Sequence, residues 1–415
     1  MSATVRAIAF YLPQFHPIPE NDAWWGKGFT EWTNVTRAGP RFPGHYQPHL
    51  PADLGFYDLR LPAARAAQAA LAREYGLHGF CYYHYWFNGK RVLERPFNEV
   101  LAAGEPDFPF CLCWANENWT RVWDGGNDQV LLHQHYSAAD DARHIESLIP
   151  AFRDERYIRI NDKPLFLVYR TRLLPDPVRT AEVWRTAARK AGIADLFLVR
   201  VESFLDLTDP TSIGFDAAVE FAPFNGLRNQ LFRGRKYRYL AQAGLFPKQL
   251  LRHRCFDYQD VADNAVRRQP TGYKRFYCAS PGWDNSARRQ DNGMVLLDST
   301  PEKYEVWLRQ VAARTAERWQ GEGRICFINA WNEWAEGNHL EPDLRWKLGY
   351  LAATRRALQS YEHQAVPAAA YAEDEHAFQA GNVFQRIAQV ARDRAFTRTD
   401  LHFIKSQVRE ILRLR

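Results

Sequence analysis

Three carboxylates, Glu333, Glu336 and Glu341, fall within nine positions near the far end of the chain, with Trp331 and Trp334 beside them. Paired carboxylates next to flat aromatic faces suit chemistry at a glycosidic bond. One acid protonates a leaving oxygen, the other acts as base or nucleophile, and indoles stack on sugar rings. A loop whose acids merely cap backbone N–H groups would read the same way in isolation. The stretch starts as the apolar run Cys326-Phe327-Ile328 and turns polar around Ala330. A buried parallel strand whose C-terminal end opens into a pocket has that pattern.

The same transition recurs along the chain. Apolar runs over 4–12, 78–86, 108–114, 164–169, 196–201, 216–221, 275–279 and 325–330 predict eight strands. Helical spacing over 61–75, 95–103, 139–151, 177–191, 257–268, 302–319 and 343–360 predicts the elements between most of them. Strands alternating with helices give a parallel sheet, and eight such units give an α/β (β/α)8 TIM barrel with its site at the C-terminal ends of the strands. A doubly wound sheet is the alternative, but Pro13-Gln14-Phe15-His16 after the first strand is not a glycine-rich phosphate loop. We therefore expect a catalytic barrel over 1–360 and an extension over 361–415. In that extension 361–376 reads as a linker and 398–415 as a basic amphipathic helix.

Polar and aromatic residues cluster after the predicted strands, where a barrel presents its site. They are His16, Trp25, Glu31 and Trp32 after the first strand, and Tyr83, His84 and Trp86 in the second. Trp114, Asn116, Glu117 and Trp119 follow at the third, Glu202 and Glu220 at the fifth and sixth, and Trp283 after the seventh. Asn332, Trp334 and Glu341 accompany the first-named glutamates. All of these are expected to bind substrate. His133-Gln134-His135 has no third ligand at metal spacing, and neither an Asp-x-Asp pair nor a phosphate loop occurs, so no metal and no cofactor are expected.

Composition bounds the partners. The chain has 415 residues, 46% hydrophobic and 25% charged, with a net charge of +6. Residues 386–415 hold eight Lys or Arg against three Asp or Glu, so most of that charge sits in the extension and the body is near neutral. That argues against nucleic-acid binding by the body. Five of the six cysteines lie inside strand-like runs and read as reduced, buried thiols. No leader pattern opens the sequence and no apolar run is long enough to span a membrane, so a cytoplasmic protein is expected. Its basic helix would pack on the barrel or a partner, or rest on a membrane surface.

The sequence resembles the WbsX-like proteins of bacterial polysaccharide clusters, which are related to glycoside hydrolase family 99. The resemblance is carried by Tyr11-Leu12-Pro13-Gln14-Phe15-His16, Gly28-Phe29-Thr30-Glu31-Trp32, Gly79-Phe80-Cys81-Tyr82-Tyr83-His84-Tyr85-Trp86, Trp114-Ala115-Asn116-Glu117-Asn118-Trp119 and Asn332-Glu333-Trp334-Ala335-Glu336-Gly337. It implies a (β/α)8 barrel and retaining, endo-acting α-mannosidase chemistry. It further implies Glu336 as general acid/base and Glu333 as the group that deprotonates a sugar 2-hydroxyl. Proton donation by Glu336 calls for a raised pKa and Glu333 is then expected to stay ionised. Ala335 stands where the hydrolase motif has His. Three readings stay open: a hydrolase or transglycosidase of α-linked, mannose-type glycans, a glycosyltransferase of O-antigen, capsule or lipopolysaccharide assembly, and a non-catalytic polysaccharide-binding barrel.

Overall fold

The eight apolar runs are strands in the computed structural model, which describes residues 4–120 and 130–361. They are β1 Arg6–Tyr11, β2 Gly79–Phe87, β3 Phe110–Trp114, β4 Lys163–Val168, β5 Phe197–Val201 and β6 Ala217–Val219. Strand β7 comes in two pieces, Arg275–Phe276 and Cys278–Ala279, and β8 is Ile325–Ile328. Each pairs in parallel with its neighbours in the sequence. The first piece of β7 pairs with β6 and the second with β8, while β8 pairs with β1, so the sheet closes on itself. This is the expected (β/α)8 barrel.

Two short helices, α1 Pro19–Trp25 and α2 Glu31–Arg37, lie in the loop after β1. The outer layer is α3 Pro62–Glu74, α4 Arg95–Ala103, α5 Ala138–Arg153, α6 Pro177–Lys190, α8 Tyr258–Val266, α9 Pro301–Arg318 and α10 Gly349–Ser360, with α7 Arg235–Gln242 in an outlying lobe. Ser137, Asp176, Asp257 and Thr300 start α5, α6, α8 and α9 by accepting a hydrogen bond from an otherwise orphaned first-turn N–H. The last helix begins at Gly349 and not near 343. Asp343 Oδ1 accepts from Trp346 N–H and Lys347 has φ 48°, so 343–347 is a turn. Short 3-10 turns replace a helix between β5 and β6.

Side chains alternate across a strand, and this decides which residues can reach a site inside the barrel. Phe10, Phe197, Phe276 and Phe327 fill the interior, with ring centroids 5.4–6.3 Å apart. Tyr83 stacks on Phe10 at 5.7 Å, and Tyr169 lies 6.4 Å from Tyr83. The neighbouring His84 and Trp86 point out, under α5. All six cysteines are buried and free.

The segment 222–253, irregular by sequence, belongs to a lobe. Arg254–Asp257 pairs in parallel with Met294–Leu297, apart from the barrel sheet. Phe42, Leu231, Tyr237, Phe246, Leu250 and Val295 give the lobe its own apolar cluster. The predicted linker and basic helix after 361 lie outside the described residues.

Candidate active site

Beyond β8 the chain folds back on itself, with Asn332 and Glu333 pairing antiparallel with His339 and Asn338. The turn between them is one loop of 3-10 helix, Trp334–Glu336, closed by Gly337 in the left-handed region at φ 55°. Side chains three apart eclipse on such a turn, so Glu333 and Glu336 face the same way. The turn leaves no room at Gly337: a Cβ there would lie 2.9 Å from Asp284 Cβ.

Both glutamates meet a residue that the sequence reading passed over. Arg288 donates from Nη1 to Glu336 Oε1 at 2.7 Å and from Nη2 to Glu333 Oε2 at 3.3 Å. It also donates through Nε and Nη2 to Glu31 Oε2, while Asn34 occupies Glu31 Oε1. One guanidinium thus gathers three carboxylates from the loops after β1 and β8. Arg288 belongs to the loop that leads from β7 back to the lobe strand Met294–Leu297. No local motif marks it; the signal for it is the surplus of buried carboxylates, which demands a cation.

The electrostatics follow. Burial first, then repulsion from Glu336, pushes Glu333 up to about 8, with Arg288 opposing. Glu336 is also raised by burial, against the pull of Arg288. The pair therefore carries a proton at neutral pH. The expectation had Glu336 as the raised group and Glu333 ionised; burial raises both. The nearer guanidinium contact, to Glu336, favours that anion. The Arg288 charge is held firmly, for its three acidic neighbours outweigh its desolvation.

Other expected site residues share this end of the barrel. Tyr83, half-buried, has its phenol raised by burial and by Glu333. Glu117, half-buried, pairs with Arg170 and is raised by burial. Tyr169 feels both Glu117 and Glu336, which puts β3, β4 and β8 around one space. Trp119 packs edge-on against Tyr85 at 5.2 Å and Trp24 at 5.7 Å. Trp283 packs on Phe224, which stacks on Phe221. Trp25 is half-buried against Phe29.

The remaining expected binders are spent elsewhere. His84 Nε2 meets His144 Nε2 at 2.9 Å, Trp86 stacks on His144 and donates to Asp140, and Trp114 packs on His144 and Trp184. These three face the helix layer because the strand alternation sends them outward. Glu202 and Glu220 point outward too, and both accept from Arg268 at 2.8 Å. Asn116 uses its amide to clamp the backbone of Arg170, and Asn332 clamps Leu12. Trp334 stacks on His339 and donates to Glu341, whose other partners are Tyr57 and Gln68. Trp32 is anchored to Tyr57 and packs on Trp334. His16 is buried with Nδ1 against the Pro13 carbonyl, and its ring is held near 4 by burial. Among the described residues, none of these eleven hydrogen-bonds a member of the Arg288 cluster.

A sequence profile described as glycosyltransferase WbsX matches residues 7–354. The chain belongs to the WbsX glycosyltransferase family. Two relatives of this WbsX-family chain are the uncharacterized protein WxcX of Xanthomonas campestris pv. campestris, strains B100 and ATCC 33913. They are 47% identical over 351 and 356 residues, which is 85% of this chain and 49% of each relative. The WbsX-family chain thus spans about half the length of the curated relatives it matches. Among solved structures, the GH99 endo-α-mannosidase of Bacteroides thetaiotaomicron superposes with a TM-score of 0.54 at 14% identity, covering 86% of this chain and 98% of that one. A glycoside hydrolase-like protein superposes at 0.53 and 13% identity, covering 86% and 94%. At such identity these two establish the barrel of the WbsX-family chain and nothing finer.

Proposed function

We propose that this WbsX-family barrel cleaves or transfers α-linked, mannose-type glycans with retention, using Glu333 and Glu336. The observation that carries the reading is the gathering of Glu31, Glu333 and Glu336 on Arg288 at the C-terminal end of the barrel. In the proposed step Glu336 gives its proton to the leaving oxygen while Glu333 takes one from the sugar 2-hydroxyl, which attacks the anomeric carbon. Before the step Glu336 is neutral and Glu333 charged; afterwards the charges are exchanged. Arg288, nearer to Glu336, stabilises the charge distribution reached after transfer, so the resting pair resembles the end of the step. Substrate binding must move the proton onto Glu336, and a 2-hydroxyl donating to Glu333 would do so by favouring its anion.

Transfer from an activated donor is the second reading, favoured by the family's description. A diphosphate leaves without a proton, so Glu336 would matter less there than Glu333. The test is incubation of the full chain with nucleotide sugars and, separately, with α-mannan-type oligosaccharides, following product anomers by NMR. Retained configuration on the oligosaccharides supports cleavage or transglycosylation, and turnover of nucleotide sugars alone supports the transferase. Inverted products, or turnover of neither by a folded protein, would defeat the proposal.

A further inference from the structure

Behind the glutamate turn lies a second polar cluster that the proposed chemistry does not use. His49 Nδ1 faces His339 Nε2 at 3.0 Å, and Asp343 Oδ2 lies 4.0 Å from that same Nε2. The three ligand-type atoms are all within 4.8 Å of one another. His339 and Asp343 are buried; His49 is half-buried and leaves a way in.

The far side of each buried group is already engaged. His339 Nδ1 is 2.9 Å from the Glu341 carbonyl, which can only accept, so Nδ1 carries the proton and Nε2 presents its lone pair to the cluster. Asp343 Oδ1 accepts from Trp346 N–H, and Oδ2, which accepts a long hydrogen bond of 3.4 Å from the Tyr46 hydroxyl, keeps a second lone pair for the cluster. The backbone frame is fixed as well, because Ala52 N–H donates to Pro342 O and Leu344 N–H donates to Leu50 O. Two imidazoles and a carboxylate held on a paired backbone match the ligands that zinc-type ions take.

From this arrangement the geometry points to a site for one divalent transition-metal ion of the zinc type, bound by His49 Nδ1, His339 Nε2 and Asp343 Oδ2 with water in the fourth position. At metal–ligand distances of about 2.0–2.1 Å a tetrahedral ion needs its ligand atoms roughly 3.3 Å apart, so the rings, now 3.0 Å apart, have to open by a few tenths of an ångström and Asp343 Oδ2, now 4.0 Å from His339 Nε2, has to close by somewhat more. Binding requires the proton that His49 Nδ1 donates to His339 Nε2 to shift to His49 Nε2, so the neutral ring changes tautomer and turns its Nδ1 lone pair to the ion. The ion would tie the loop before α3 to the segment after β8. Since Trp334 stacks on His339 at 3.8 Å, it would brace the turn that carries both glutamates.

The probe is Zn2+ added to the chelator-stripped full chain, followed by calorimetry and thermal unfolding, with Co2+ ligand-field spectra reporting the donor set. We expect one ion per chain and a rise in the unfolding temperature. His49→Asn is the main variant: its amide N–H takes the place of Nδ1–H and keeps the hydrogen bond to His339, but it removes the ligand. Asp343→Asn is the second. Each should weaken Zn2+ binding by more than the roughly 10–100-fold typical of outer-shell substitutions, while the metal-free proteins stay folded. A variant of the exposed pair, His133→Ala, should bind as tightly as the parent. Absence of stoichiometric binding, or affinity untouched by His49→Asn, would overturn the site. Binding lost only in His133→Ala would mean an adventitious ion only and would overturn it equally.

Discussion

Replacing Glu333 by Gln should flatten the pH dependence of stability. In the folded chain Glu333 titrates at about 8 against an ordinary 4.5, because burial and Glu336 disfavour its anion more than Arg288 favours it. A carboxyl whose folded pKa exceeds its unfolded one binds its proton more tightly in the native state. Its contribution is therefore full below the unfolded value and is lost as pH rises towards 8. At about 1.36 kcal/mol per tenfold in proton affinity, that rise sets an upper bound of roughly 5 kcal/mol on the loss. Glu336 shares the proton and relaxes once Glu333 is neutral, so about half the bound, roughly 2–3 kcal/mol, should separate the two proteins. Gln keeps an oxygen towards Arg288, 3.3 Å from Glu333 in the parent. The assay is urea unfolding of parent and variant at a series of fixed pH values from about 5 to 9. The stabilities should converge at the acid end and diverge at the alkaline end, with the variant the more stable. Parallel curves, or a variant that weakens as pH rises, would refute the reasoning.

Glu336→Gln should lose roughly 10²–10⁴-fold on a natural glycan yet retain appreciable cleavage of a fluoride or activated phenol donor, which needs little proton help. Initial rates on the matched pair decide it, and equal losses on both would contradict the acid/base role. Arg288→Gln should destabilise the fold by about 3–5 kcal/mol near neutral pH, because the buried Glu31 and Glu333 and the half-buried Glu336 lose their cation, and acid should restore part of it. Unfolding measured near pH 5 and pH 8 checks the sign. Gly337→Ala should cost roughly 1–3 kcal/mol and lower activity, since Ala at positive φ is strained and its Cβ meets Asp284; an unchanged melting temperature with full activity would count against this. A chain ending after Tyr361 should fold, because all eight strands and α10 precede it and the Tyr361 hydroxyl accepts from Val5 N–H. Circular dichroism with a cooperative melt would show it, and insoluble protein would mean that the extension completes the core.

The barrel was legible because each strand is a short apolar run that turns polar at its end. The two glutamates were legible as a spaced motif on one turn. What a run does not reveal is the side to which each residue points. Tyr83 and Tyr85 face inward while His84 and Trp86, equally aromatic and adjacent, face the helices; a slip of one position exchanges the two sets. Glu202 and Glu220 sit at strand ends like Glu117, but their parity delivers them to Arg268. Asn332 looked like a binder and is a backbone clamp, a role visible only once Leu12 is beside it. Arg288 stayed hidden because its three partners lie 257, 45 and 48 residues away in the chain.

The loop bearing Arg288 runs from barrel strand β7 to Met294–Leu297, which pairs with the outlying lobe. The cation that opposes the burial-driven rise of both glutamates therefore depends on a small module with its own apolar cluster, inserted between barrel elements. A recombination that exchanged this module would retune the charge on the glutamate pair while leaving all eight strands and both glutamates untouched. In this architecture the charge balance around the glutamates is an inheritable trait of the insertion, separable from the barrel that carries them.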